Sequence, residues 1–194
     1  MKPYREAPRA PTQATPLIIS EGKFIRLLSQ NGWEYVERTN CTGVVIIVPV
    51  TDDGRVVLTE QYRIPMGKSV IEFPAGLVDD KAARSEETVE TAARRELLEE
   101  TGYAVGELQQ LLSGPVSAGL TSEQVTFCLA TALTKRSLGG GVGSEAIKVY
   151  EVPLKDIDAW LERATAEGKL VDPKVYAGLY LIKGRVQFRS PASA

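Results

Sequence analysis

The stretch RRELLEETGY at residues 94–103 sets three carboxylates, Glu96, Glu99 and Glu100, at spacings i, i+3 and i+4. On a helix turning 100° per residue, with Val89 at zero, they fall at about 340°, 280° and 20°, one shared sector. Ala92, Ala93 and Leu97 define the apolar stripe in that sector. A solvated face laced with salt bridges is the ordinary fate of an Arg/Glu-rich helix, yet acids aligned with the apolar stripe are predicted to face the protein body. Three carboxylates crowded there repel one another unless a cation joins them. All-oxygen ligation suits a hard divalent ion, Mg2+ or Mn2+, and disfavours zinc, which prefers nitrogen and sulfur.

The rest of the composition narrows the chemistry. The 194 residues contain no histidine, which removes His general bases, Ser-His-Asp triads and His-ligated metals. Any acid or base must be Asp, Glu, Lys, Tyr or Cys. Lys and Arg total 23 against 25 Asp and Glu, so no basic excess drives binding to a nucleic-acid backbone. With 43% hydrophobic and 25% charged residues, a chain of this length buries a full core without disulfides or structural zinc. Cys41 and Cys128 lie in or beside apolar β-like runs and are expected to be packed, not reactive. Proline-rich residues 1–16 lack the apolar core of a signal peptide, and the apolar run 43–50 is far short of the about 20 residues that span a bilayer. A cytoplasmic protein without membrane contact is expected.

The elements that must position the carboxylates follow from local pattern. Residues 1–16 read as an extended arm, residues 17–40 as N-terminal strands and residues 41–190 as the main domain. FIRLLS and WEYVER flank Gln30, Asn31 and Gly32, a strong hairpin signal. GVVIIVPV and RVVLTEQYR flank Asp52, Asp53 and Gly54 and read as a second hairpin with both faces buried. Further strands are predicted at 69–73, 107–112, 125–132 and 147–152. Helices are predicted at about 86–101, capped by Ser85 and stopped by Gly102, and at 154–167 and 172–183, the last opened by Asp172 and Pro173. Many strands with one central and two late helices indicate a mixed α/β (α+β) sandwich, not a doubly wound sheet. SLGGGVGSE at 137–145 lacks the context and the Lys-Ser/Thr of a P-loop and reads as a mobile loop carrying Glu145.

Glu87, Arg95, Glu96, Leu97, Glu99, Glu100, Gly102 and Tyr103 match in register the signature of the Nudix hydrolases, which the chain thereby resembles. Ten residues, not five, separate Gly76 from Glu87, and Lys81 stands where the signature has glycine. WEYVER, EQYRIPMGKSVIEFPAGLVDD, GLTSE and LVDPKVYAGLYLIK are similar to runs of the ADP-ribose pyrophosphatase branch. The resemblance implies an α/β/α sandwich with an N-terminal β-hairpin subdomain, and a homodimer whose N-terminal strands cross to the partner. It implies magnesium held by Glu96, Glu99 and Glu100 with the Ala75 carbonyl, diphosphate or ribose held by Arg38 and Arg63, and a base stacked on Phe24 and Trp33 with Glu34 alongside. The attacking water falls to Glu123 or Glu145, with Glu123 favoured. Glu87, at about 160° on the wheel, is assigned a structural part.

The activity implied is Mg2+-dependent hydrolysis of a nucleoside diphosphate sugar, ADP-ribose first. Ala118 occupies the position where members specific for ADP-ribose carry proline, which leaves base and sugar open. Another nucleotide, such as a diadenosine polyphosphate, is an alternative substrate. A non-catalytic nucleotide-binding module is the alternative from another class.

Overall fold

The computed structural model describes residues 14–79, 87–143 and 146–185. In chain order these form β1 (Leu17–Glu21), β2 (Ile25–Gln30), β3 (Trp33–Arg38), β4 (Gly43–Pro49), β5 (Arg55–Arg63), β6 (Lys68–Glu72), β7 (Ala75–Val78) and α1 (Val89–Thr101). They continue with β8 (Tyr103–Ala104), β9 (Glu107–Pro115), β10 (Gln124–Thr131), β11 (Thr134–Lys135), β12 (Lys148–Pro153), α2 (Ile157–Ala166), β13 (Leu170–Val171) and α3 (Pro173–Ile182). Two compact units result, Met1–Asn40 with Pro115–Glu123, and Cys41–Gly114 with Gln124–Ala194.

In the first unit β1, β2 and β3 form an antiparallel sheet in that order. Asn31 and Gly32 take φ of 53° and 80°, the left-handed pair that a two-residue turn between twisted strands demands. The expected hairpin is therefore formed. Segment 115–123 is held against β3: Val36 N donates to Leu120 O at 2.8 Å, and Ser122 N donates to Val36 O at 3.2 Å.

The second unit contains two four-stranded sheets, β7-β4-β10-β9 and β12-β5-β6-β13, and the small pair β11-β8. Both larger sheets are mixed: β4 runs parallel to β10 and antiparallel to β7, and β6 runs antiparallel to β5 and parallel to β13. The second hairpin expected from sequence does not form. β4 and β5 enter different sheets and are joined at the turn by the bridge Val50–Val56 and the bond from Thr51 N to Arg55 O at 2.9 Å. Runs that are apolar on both faces can each fill the middle of a separate sheet, and here they do.

Alternation along the strands then feeds two cores. Ile46 and Val48 of β4, Val56 and Leu58 of β5, and Phe127 and Leu129 of β10 pack with α2 and α3 through Leu161 and Val175. Val45, Ile47, Val57, Cys128 and Ala130 pack with α1 through Ala92, Ala93 and Leu97. One side of each strand thus meets the late helices and the other meets α1, the layered α/β sandwich expected.

Helix α1 begins later than expected. Its N-cap is Thr88, whose hydroxyl accepts from Thr91 N at 3.2 Å; Ser85 lies outside the described residues. Gly102, at φ 75°, ends it, since a left-handed residue terminates the ladder at little cost only as glycine. The expected helix at 154–167 opens with a 3-10 turn, Leu154–Asp156, before α2. α3 is capped by Asp172, which accepts from Lys174 N at 2.8 Å. Among the described residues no helix is long and apolar enough to cross a membrane.

Candidate functional site

α1 presents its acids as the wheel requires. Glu100 is buried, and the side chains of Glu96 and Glu99 keep 13% and 28% exposure. At the centre is Arg95, itself 14% exposed. Its Nε and Nη2 donate to the two oxygens of Glu87 at 2.9 and 3.1 Å, and Nη2 also reaches Leu77 O at 3.1 Å. Nη1 donates to Glu96 Oε1 at 2.7 Å and, more weakly, to Glu99 Oε2 at 3.4 Å. The hydrogen bonds Arg95 donates to Glu87 and the charges of Glu96 and Glu87 outweigh burial and push the guanidinium pKa well up. Glu87, 3% exposed, also accepts from Asp79 N at 3.1 Å, a fork that fixes the helix start to the end of β7.

Glu100 Oε2 accepts from Ala75 N at 3.2 Å, so the carboxylate lies beside the first residue of β7. The neighbouring Gly76 is required by close approach: a Cβ there would stand 1.9 Å from Cδ and Oε1 of Glu96. Among the described residues, no group of three His, Cys, Asp or Glu converges as a metal's ligands do. Arg95 and the Ala75 amide draw the carboxylates instead. The donor set nevertheless fits a hard divalent cation: all-oxygen, with three acids on one helical turn and a glycine cradle beneath Glu96.

The other expected residues fall in both units. In the second, Arg63 Nε donates to Glu72 Oε2 at 2.7 Å, the two side chains 43% and 14% exposed. In the first, Arg38 Nε donates to Glu123 Oε2, which joins two expected site residues 85 positions apart. Trp33 Nε1 donates to Gly119 O at 3.2 Å, in the segment that carries Glu123. Phe24 and Trp33 are 54% and 61% exposed, so neither ring is spent on hairpin packing. Lys23 Nζ lies 4.9 Å from the Phe24 ring centre. Glu34 is exposed on β3, in register with Ser29. Glu145 lies outside the described residues.

Sequence reasoning missed a second buried acid. Glu60 of β5, 5% exposed, accepts from Tyr150 Oη at 2.6 Å and pairs with Lys148 and Lys169 at 3.3 and 3.2 Å. Burial raises its pKa, but the bonds from Tyr150, Lys169, Lys148 and Ser69 more than reverse this and hold it at about 2. The available signal was period two: Glu60 continues the inward positions of Val56 and Leu58. Cys128 is buried as expected, and burial pushes its thiol up to about 11.

A layered mixed-sheet sandwich with an acid-lined helix is the architecture that comparison with known proteins must match. A family model described as the NUDIX domain matches residues 41–173, and the chain belongs to the Nudix family. The ADP-sugar pyrophosphatase of Mus musculus is 33% identical over 187 residues, 82% of each chain. The ADP-ribose pyrophosphatase of Bacillus subtilis is 36% identical over 118 residues, 59% of this chain and 60% of that one. A methanol dehydrogenase activator of Bacillus methanolicus is 33% identical over 141 residues, 72% of this chain and 71% of that one. A solved structure, the crystal structure of an ADP compounds hydrolase, shares the fold with a TM-score of 0.70 at 24% identity, covering 93% of this chain and 98% of that one.

Proposed function

We propose that the chain hydrolyses the diphosphate of a nucleoside diphosphate sugar, ADP-ribose first, to AMP and ribose 5-phosphate. The observation that carries this reading is the acid patch of α1, where one guanidinium is shared by Glu87, Glu96 and Glu99 while Glu100 lies on the Ala75 amide. The relatives named for ADP-sugar and ADP-ribose pyrophosphatases supply the substrate class. Glu96, Glu99 and Glu100, with the Ala75 carbonyl, are assigned to hold Mg2+ or Mn2+. Such an ion neutralises a diphosphate and lowers the pKa of bound water.

The chain's own residues supply binding and orientation. Arg63 and Arg38 offer the planar fork that matches phosphate oxygens. The exposed faces of Trp33 and Phe24 suit a purine, with Glu34 beside Trp33. Glu123, held by Arg38, is assigned to orient the attacking water and accept its proton; Glu145 is the alternative. Glu87 and Arg95 keep the helix in place. The same reading takes the protein as a cytoplasmic homodimer. Its support is β1, exposed along its whole length with Leu17, Ile18 and Ile19 at 68%, 49% and 47%, apolar surface that a second copy can cover.

A magnesium-supplemented screen of nucleotide sugars and dinucleoside polyphosphates, read by phosphate release after phosphatase coupling, tests the activity. ADP-ribose turnover to AMP is expected. No turnover of any substrate overturns the enzymatic reading, and preference for a dinucleoside polyphosphate overturns the substrate. Light scattering at micromolar concentration is expected to give twice the chain mass.

A further inference from the structure

The glycine run at 139–141 is unused by the reading above, yet it is bonded to the helix that carries the acids. An α-helix leaves its last four carbonyls without partners in its own ladder. In α1 all four are met from outside or from the cap. Leu98 O accepts from Gly102 N at 2.9 Å, Glu99 O from Gly141 N at 3.1 Å and Glu100 O from Gly140 N at 2.8 Å. Thr101 O accepts from Lys135 Nζ at 3.0 Å. The turn beyond is tied too, since Gly102 O accepts from Arg136 N and Ser137 N at 2.8 and 3.2 Å.

Contact is close enough to require glycine on both sides. A Cβ at Gly139 would stand 2.4 Å from Thr101 C and 2.6 Å from Glu100 O, and one at Gly102 would stand 2.1 Å from Ser137 O. Gly139, Gly140 and Gly141 take φ of 72°, 114° and 86°, a succession that residues with side chains do not sustain. The amides of Gly140 and Gly141 are already committed to helix carbonyls, which separately disposes of a phosphate cradle.

The need for such a clamp follows from charge. Glu99 and Glu100 occupy the last turn of α1, where the helix dipole is negative, and that turn contains no basic residue. Acids there promote fraying. Two loop amides oppose it at the carbonyls of Glu99 and Glu100, and the Lys135 ammonium at that of the next residue, Thr101.

We propose that Gly139–Gly141, with Lys135, is a positioning element that locks the last turn of α1 and thereby sets the Glu99 and Glu100 carboxylates for the divalent ion. This rests on the assignment of the ion to those carboxylates. The test is Mn2+ binding to the substrate-free protein, read by electron paramagnetic resonance, together with amide hydrogen exchange at Thr101 and Gly102. Gly140→Ala removes the left-handed freedom at φ 114°, with Ile147 O, among the described residues, 3.8 Å from the new Cβ. It is expected to weaken Mn2+ about tenfold, the scale of losing a group that orients a metal ligand, to speed exchange at both amides, and to leave KM for ADP-ribose unchanged at saturating metal. Lys135→Met is expected to shift both readouts the same way by a smaller factor, and keeps the test open if the first variant does not fold. Gly168→Ala imposes comparable strain at φ 85° in another turn and is expected to change neither readout. Unchanged Mn2+ affinity in the folded variants, with affinity lost in Glu100→Gln, overturns the clamp alone. Equal affinity in wild type and Glu100→Gln overturns the metal assignment and the clamp with it.

Discussion

Two clusters of buried charge in the second unit are inverted copies of each other. At α1, among the described residues, Glu87 just before the helix and Glu96 and Glu99 on it share the guanidinium of Arg95, and Glu100 takes a backbone amide. Around β5, the single carboxylate of Glu60 is shared by Lys148, Lys169 and the Tyr150 hydroxyl. In the second cluster both oxygens of Glu60 are bonded, Lys169 also pairs with Glu167 at 3.2 Å, and Glu60 stays ionised down to about 2. The first gathers, among the described residues, four carboxylates about one guanidinium and one backbone amide. The all-oxygen donors of the first suit a hard divalent cation, the role proposed for it, whereas the bonds made to Glu60 in the second serve folding.

Substitutions separate the two. Glu100→Gln keeps shape and removes one ligand charge; kcat for ADP-ribose should fall by about a hundredfold or more while the circular dichroism spectrum is kept. Full activity of wild type in EDTA, or of this variant in magnesium, breaks the contrast. Glu123→Gln should lower kcat by roughly tenfold to a hundredfold with KM little changed, as for a group that acts mainly in the transition state. A loss below about threefold there, beside a loss above about a hundredfold in Glu145→Gln, moves the water-handling role to Glu145. Trp33→Ala should raise KM with kcat kept, since base stacking contributes about 1 to 3 kcal/mol; an unchanged KM removes Trp33 from the site.

Glu60 should affect turnover least and stability most. Its carboxyl binds a proton near 4.5 in the unfolded chain and near 2 in the folded one. The unfolded state therefore takes up the proton first as pH falls. The stabilisation, about 3 kcal/mol, is whole above pH 4.5 and is lost progressively as pH drops toward 2. Glu60→Gln should lower the midpoint of urea unfolding at pH 7 and flatten that acid limb, with kcat per folded molecule unchanged. An acid limb identical to that of wild type contradicts the assignment.

Much of this was legible in sequence because it is local. The 3.6-residue period alone placed Glu96, Glu99 and Glu100 toward the core, and their exposures follow the order of their angles. Asn31-Gly32 announced its turn, and Asp172-Pro173 its cap. What failed was non-local. Two doubly apolar runs around Asp52-Asp53-Gly54 are compatible with a hairpin or with the middles of two sheets, and only tertiary packing selects the second. Arg38 and Glu123 are 85 residues apart, and nothing in either neighbourhood names the other. The glycine run at 139–141 read as a loop because its partners are carbonyls, which every residue possesses.

Titrating Mn2+ into substrate-free wild type, Glu100→Gln and Glu60→Gln, with the free-ion signal followed by electron paramagnetic resonance, separates a cation site at α1 from a folding cluster around β5. Binding is expected in wild type, with the same affinity in folded Glu60→Gln and at least about a tenfold weaker affinity in Glu100→Gln, the scale at which a metal site registers a lost contact. Equal affinity in all three, or a loss confined to Glu60→Gln, would contradict it.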